Sequence, residues 1–61
     1  MKVGDLVSFD GGTDRTDLAR RLGIIVGFDE DDDPIIIWSD KRFNGQAEPN
    51  FRSHIVVLSE A

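Results

Sequence analysis

GIIVGFDEDDDPIIIWSD, residues 23–40, sets two apolar runs on either side of five consecutive acids, Asp29 to Asp33. In the first run Ile24, Val26 and Phe28 share one face of an extended segment, and Ile25 points to the other. In the second, Ile35 and Ile37 share a face, and Ile36 and Trp38 share the opposite one. Three β-branched residues followed by Trp fit a pleated strand. Two strands joined by a short, very polar connection form a hairpin, which puts the acids at its tip. Pro34 lacks an amide donor and suits the first position of the second strand. Apolar residues on both faces imply a central position or a curled sheet.

Outward from the hairpin the pattern repeats. In KVGDLVSFDGG, residues 2–12, Val7 and Phe9 alternate with Ser8. Gly4-Asp5 permits a tight turn or bulge before that strand, and Gly11-Gly12 ends it. TDRTDLARRLG, residues 13–23, is the one helical candidate, with Thr16 or Asp14 as cap, Leu18 and Leu22 four apart, and Gly23 at the end. So short a helix is marginal alone, and a long loop with one helical turn is expected. Asn44-Gly45 is the strongest tight-turn signal. One 3-10 turn is expected before the last strand, starting at Pro49 or Asn50. HIVVLSE, residues 54–60, is that last strand. The expected core holds Val7, Phe9, Ile24, Val26, Ile35, Ile37 and Val57, with a share of Leu6, Phe28 and Val56. A slip of one residue would reverse that choice of face.

The 61 residues form a single domain, 1–61. A domain of this size buries only roughly 60% of the surface of its unfolded chain. Its core supplies on the order of 3–5 kcal/mol. With no cysteine there is no disulfide and no thiolate zinc site, and His54 alone cannot build a histidine metal cluster. Twelve acids against seven bases give a net charge of −5. That balance argues against a general nucleic-acid binder and against docking on anionic lipid. No apolar run approaches the ~20 residues of a membrane span, and MKVGDLV lacks the apolar stretch of a signal peptide. A cytoplasmic protein is expected.

The order KVGDLV, GIIVGF, PIIIWSD, HIVVLSE resembles the SH3-like small barrels. More narrowly, it is similar to short uncharacterised proteins of tailed bacteriophages. Those open with Lys–hydrophobic–Gly-Asp-Leu-Val, continue with Leu-Gly-Ile-Val and an alternating strand ending in Trp, and close near Leu-Glu-Val-Ile-Ser. The matching positions are Gly4 to Val7, Leu22 to Ile25, Trp38, and Ile55 to Ser59. The resemblance implies an all-β, SH3-like five-stranded barrel with a 3-10 turn before the last strand, and no assigned activity. The opening and the Gly-Ile-Ile-Val stretch are also loosely like KOW and Tudor-type barrels. The acid run departs from the nucleic-acid-binding members.

Asp29, Asp31 and Asp33 alternate as at the start of an EF-hand calcium loop. Pro34 stands where that loop needs Gly, and Asp40 where it needs Glu, so a solvated hairpin tip is the better reading. No cofactor or metal is expected. Arg15, Arg20 and Arg21 form the basic cluster, joined by Lys41, Arg42 and Arg52, either as a contact surface or in local pairs with Asp14, Asp17 and Asp40. Trp38, Phe43 and Phe51 group around the connection after the third strand. Trp38 reads first as core and second as interface. His54 has no partner at the spacing of a catalytic triad, and the scattered glycines make no phosphate cradle. An enzyme is not expected. The leading expectation is a non-catalytic module that binds a protein partner or itself. The alternative is a nucleic-acid-binding barrel that uses Arg15, Arg20, Arg21, Lys41 and Arg42.

Overall fold

The computed structural model describes residues 1–10 and 20–61. Five strands follow in order: β1 (Leu6–Phe9), β2 (Gly23–Phe28), β3 (Pro34–Trp38), β4 (Ala47–Pro49) and β5 (Ile55–Ser59). They form one antiparallel sheet in the order β4-β3-β2-β1-β5. Two 3-10 turns, Lys41–Phe43 and Arg52–His54, precede β4 and β5. The all-β expectation therefore holds. The turn before β5 holds too, though it starts at Arg52 and not at Pro49 or Asn50. The expected helical turn and the Gly11-Gly12 break fall largely on residues 11–19, outside the described residues, as does Arg15.

Closure does not follow. No pairing joins β4 to β5 among the described residues, so the sheet is open, with those two strands at its edges. The central hairpin is as expected. Gly23 pairs with Trp38, Ile24 with Ile37, Ile25 with Ile36 and Phe28 with Pro34, with a bulge between Ile25 and Gly27. A second bulge lies between Leu6 and Val7 where β1 meets β5. Bulges bend a strand and increase its twist. Among the described residues no second layer covers the sheet, so the bent sheet and its loops enclose the core themselves.

The buried core is Val7, Ile25, Ile36, Trp38 and Ile55, with Phe9, Phe43 and Val57 packed against it. This corrects the expected face of β2 and β3. Ile24 and Val26 face outward and are exposed, and Ile35 and Ile37 are only half buried. Leu6, Phe28 and Val56 are exposed as well. The reason lies in one cross-strand row, Trp38–Gly23–Val7–Val57. Gly23 has no side chain, and the Trp38 ring lies against it, so closely that a Cβ there would sit 2.6 Å from Trp38 Cε3. An indole of this size outweighs one more Ile in deciding which face is buried.

Candidate functional site

The β2–β3 connection owes its shape to its acids. Asp29 Oδ1 accepts hydrogen bonds from the N–H groups of Asp31 (2.9 Å) and Asp33 (3.0 Å). The Asp29 N–H donates to the Asp33 carbonyl, and the Asp32 N–H donates to the Asp29 carbonyl, each at 3.0 Å. Asp32 takes φ +63°, a left-handed conformation that Asp tolerates better than most residues. Carboxylate oxygens of Asp29, Asp31 and Asp33 lie within 4.8 Å of one another. Hydrogen bonds of the turn and from Arg52 hold the Asp29 and Asp33 carboxylates in that gathering.

This acidic turn is fastened to the 3-10 turn before β5. The Arg52 N–H donates to Asp33 Oδ1 at 3.1 Å, and Arg52 Nη2 donates to the Asp32 carbonyl at 2.7 Å. The His54 carbonyl accepts from the Asp10 N–H at 2.6 Å, tying the same turn to the end of β1. The His54 ring meets Phe9 edge-on at 5.6 Å and Phe51 at 6.0 Å. Phe51 itself is 68% exposed.

Between these parts lies a cleft of about 490 Å³. Phe9, Phe51, His54 and Pro49 give it rings and apolar surface, Asp29, Asp31 and Asp33 give it carboxylates, and Arg20 and Asn50 complete the lining.

Arg20 is held in place. Its Nε donates to Glu48 Oε1 at 2.8 Å and its Nη2 to Oε2 at 3.5 Å, and its guanidinium lies 4.9 Å from the centre of the Phe43 ring. Glu48 pairs with Ile36 in the sheet and so projects from the core side of β4. Burial pushes its carboxyl up, but the Arg20 hydrogen bond and charge together hold it below its ordinary value of 4.5. The Trp38 indole N–H is buried without a well-formed hydrogen bond, yet it adds to the pull that keeps Glu48 charged. A lowered pKa places the ion pair's contribution above pH 4.5, and it fades as pH falls through the folded value. Glu48→Gln is therefore expected to cost about 1 kcal/mol at neutral pH. Urea unfolding should show the gap from wild type closing well below pH 4.5.

Among the described residues the predicted contact residues assemble only in part, with Arg20 against Phe43 and both Arg20 and Phe51 at the cleft. Arg20 lines the cleft and Phe51 stands at its mouth. Trp38 is 1% exposed and belongs to the core, so it offers no surface. Phe43 is half buried against that core. Arg21, Lys41 and Arg42 are exposed and do not line the cleft. Arg42 pairs with Asp40, with Nε at 3.0 Å from Oδ1. The exposed ends of such pairs leave little net positive field. Asp29, Asp31, Asp33, Phe9, Pro49, Asn50 and His54 were missed as neighbours because they come from three separate segments. No protein-family model matches the chain, and no curated protein or solved structure matches it either, so a functional reading rests on the cleft's own chemistry.

Proposed function

We propose that this is a non-catalytic interaction module on an SH3-like scaffold, whose cleft takes a cationic segment of a protein partner. The observation that carries this reading is the meeting of aromatic rings and carboxylates in one concavity: Phe9, Phe51 and His54 beside Asp29, Asp31 and Asp33. Aromatic faces accept the aliphatic stems and charged heads of Lys and Arg, and carboxylates complete the pairing. The strand order, the 3-10 turn before β5 and the sequence resemblance support the scaffold, as an opened variant of the barrel. That resemblance extends the reading to a phage-encoded protein that acts in the infected cell or as a small part of the virion. The nucleic-acid alternative is weaker because Arg20, Arg42 and Arg52 are each engaged with acidic residues or their carbonyls.

The test is a titration of the chain with a Lys/Arg-rich peptide and with an acidic control peptide, followed by amide NMR shifts. Shifts at Asp31, Asp33, Phe51 and His54 with the basic peptide alone are expected. Affinity should fall roughly tenfold as salt rises through the physiological range and beyond. The backbone of Asp31 serves the turn, so Asp31→Ser should weaken binding and leave the fold intact. Equal response to both peptides, or no loss with Asp31→Ser, would refute the reading.

A further inference from the structure

The cleft already carries a cation of the chain's own. Arg20 lines it together with Asp29, Asp31 and Asp33. Guanidinium and carboxylate groups in one small concavity form charge-assisted hydrogen bonds when nothing else holds them. Such a bond would fill the acidic part of the cleft from within and compete with any cationic guest. Among the described residues, however, the ion pair of Arg20 is with Glu48 and not with those aspartates. Its Nε donates to Glu48 Oε1 at 2.8 Å and its Nη2 to Oε2 at 3.5 Å. The guanidinium also lies 4.9 Å from the centre of the Phe43 ring and 5.9 Å from that of Phe9. Glu48 itself does not line the cleft.

The preference for Glu48 has physical causes. The side chains of Arg20 and Glu48 keep only 28% and 30% of their surface in water, so water and salt screen their pair less than one made with the exposed Asp31. Asp29 and Asp33 each already accept backbone N–H groups, from the turn itself and from Arg52. Phe43 adds a ring face for the guanidinium and is itself packed against the core. Glu48 and Phe43 thus hold Arg20 by its planar fork. Loss of the Glu48 charge would leave that guanidinium in the same cavity as three carboxylates.

Resting on the cationic reading of the cleft, we infer that Glu48 is a positioning residue: it keeps the cleft open to a cationic guest by holding Arg20 against Phe43 and off the aspartates. A double-mutant cycle tests this, with the Lys/Arg-rich peptide titrated into the full chain, Glu48→Gln, Arg20→Met and the double variant. Methionine keeps an apolar contact with the rings and removes the cation. Glu48→Gln is expected to weaken binding about fivefold. Arg20→Met should bind at least as tightly as wild type. In the Arg20→Met background, Glu48→Gln should change affinity by less than about twofold, since no guanidinium is left to release. A loss of the same size in both backgrounds would show Glu48 acting only as a distant negative charge or a structural prop, and would overturn the inference. So would an unchanged affinity in Glu48→Gln. NMR of the peptide-free chains gives a second readout. Glu48→Gln should shift the amides of Asp31 and Asp33, and the double variant should not. Shifts confined to β4 and Phe43 would count against the release of Arg20. Should Glu48→Gln not fold, Arg20→Lys takes its place: it keeps the charge but loses the fork, and tighter or equal binding of the peptide would refute the inference. Refusal of the basic peptide by wild type and Arg20→Met alike would defeat the reading of the cleft and this inference together. Uptake by wild type with an additive cycle would defeat the inference alone.

Discussion

Gly23→Ala is expected to remove a large part of the chain's stability and to lower its urea midpoint accordingly, while Gly27→Ala, four residues along the same strand, leaves stability almost unchanged. A Cβ at position 23 would sit 2.6 Å from both Ile36 Cγ2 and Trp38 Cε3, and 3.0 Å from Trp38 Cζ3. Those atoms belong to side chains with at most 1% exposure, so neither has free space to move into. The backbone cannot retreat easily, because Gly23 is paired to Val7 on one side and Trp38 on the other. Overpacking of this kind costs typically about 1–3 kcal/mol. A domain this small has on the order of 3–5 kcal/mol to lose. At Gly27 an added Cβ meets nothing within 4 Å. There the loss of unfolded-state freedom offsets any cost, and a change within about 0.5 kcal/mol is expected. Paired urea melts decide the matter. Similar midpoints for the two variants would mean that the indole does not rest on Gly23.

Asp5→Asn is expected to lower the melting temperature by on the order of 10 °C at neutral pH and to flatten its dependence on acid. Asp5 is 1% exposed, and its two oxygens serve opposite ends of the chain. Oδ1 accepts from the Ala61 N–H at 2.8 Å, and Oδ2 accepts from the Lys2 N–H at 2.9 Å. The Asp5 carbonyl also accepts from the Ile25 N–H, and the neighbouring Gly4 N–H donates to the Ile25 carbonyl, which extends the β1–β2 pairing. Asparagine keeps one acceptor and turns an NH₂ toward a donor, so one terminus loses its partner. The Ala61 N–H is the main cause that holds the carboxyl below its ordinary value of 3.8; burial opposes it, and the Lys2 N–H and charge assist. The sign follows from that direction. A folded pKa below the unfolded one gives stability that is complete above about pH 4 and lost as pH falls through the folded value. Thermal melts across that range should show wild type falling toward the variant. A constant gap at every pH would locate the effect in packing and not in the charge.

The hairpin at the centre of the fold was legible because several signals agreed. The acids 29–33, Pro34 and the two apolar runs all place the turn and the strand start where they are found. Which face of that hairpin is buried was not legible from counting. On β2 the counting favours Ile24, Val26 and Phe28 over the lone Ile25, and on β3 the two faces tie in number. The deciding facts were ring size at Trp38 and the missing side chain at Gly23, which act across strands and so escape any count along one of them. The cleft escaped for a related reason. Its rings and carboxylates lie at positions 9, 29–33 and 49–54, and only the register brings them together. Asp29 was the one local clue, since an Asp two and four residues before open N–H groups folds its own turn.

The Arg52 clasp on the acidic turn uses main-chain atoms for half of each bond: an N–H from Arg52 in one, the Asp32 carbonyl in the other. The gap between the jaws is thus gauged partly by backbone, whose chemistry does not change with residue type. The exposed side chains of Phe51 and Asp31, which line the cleft, make no bond in that clasp. If the cleft takes a cationic segment as proposed, exchange of these two side chains would change what it accepts while the backbone spacing stays, and a cleft already set at its spacing would lose little freedom on binding.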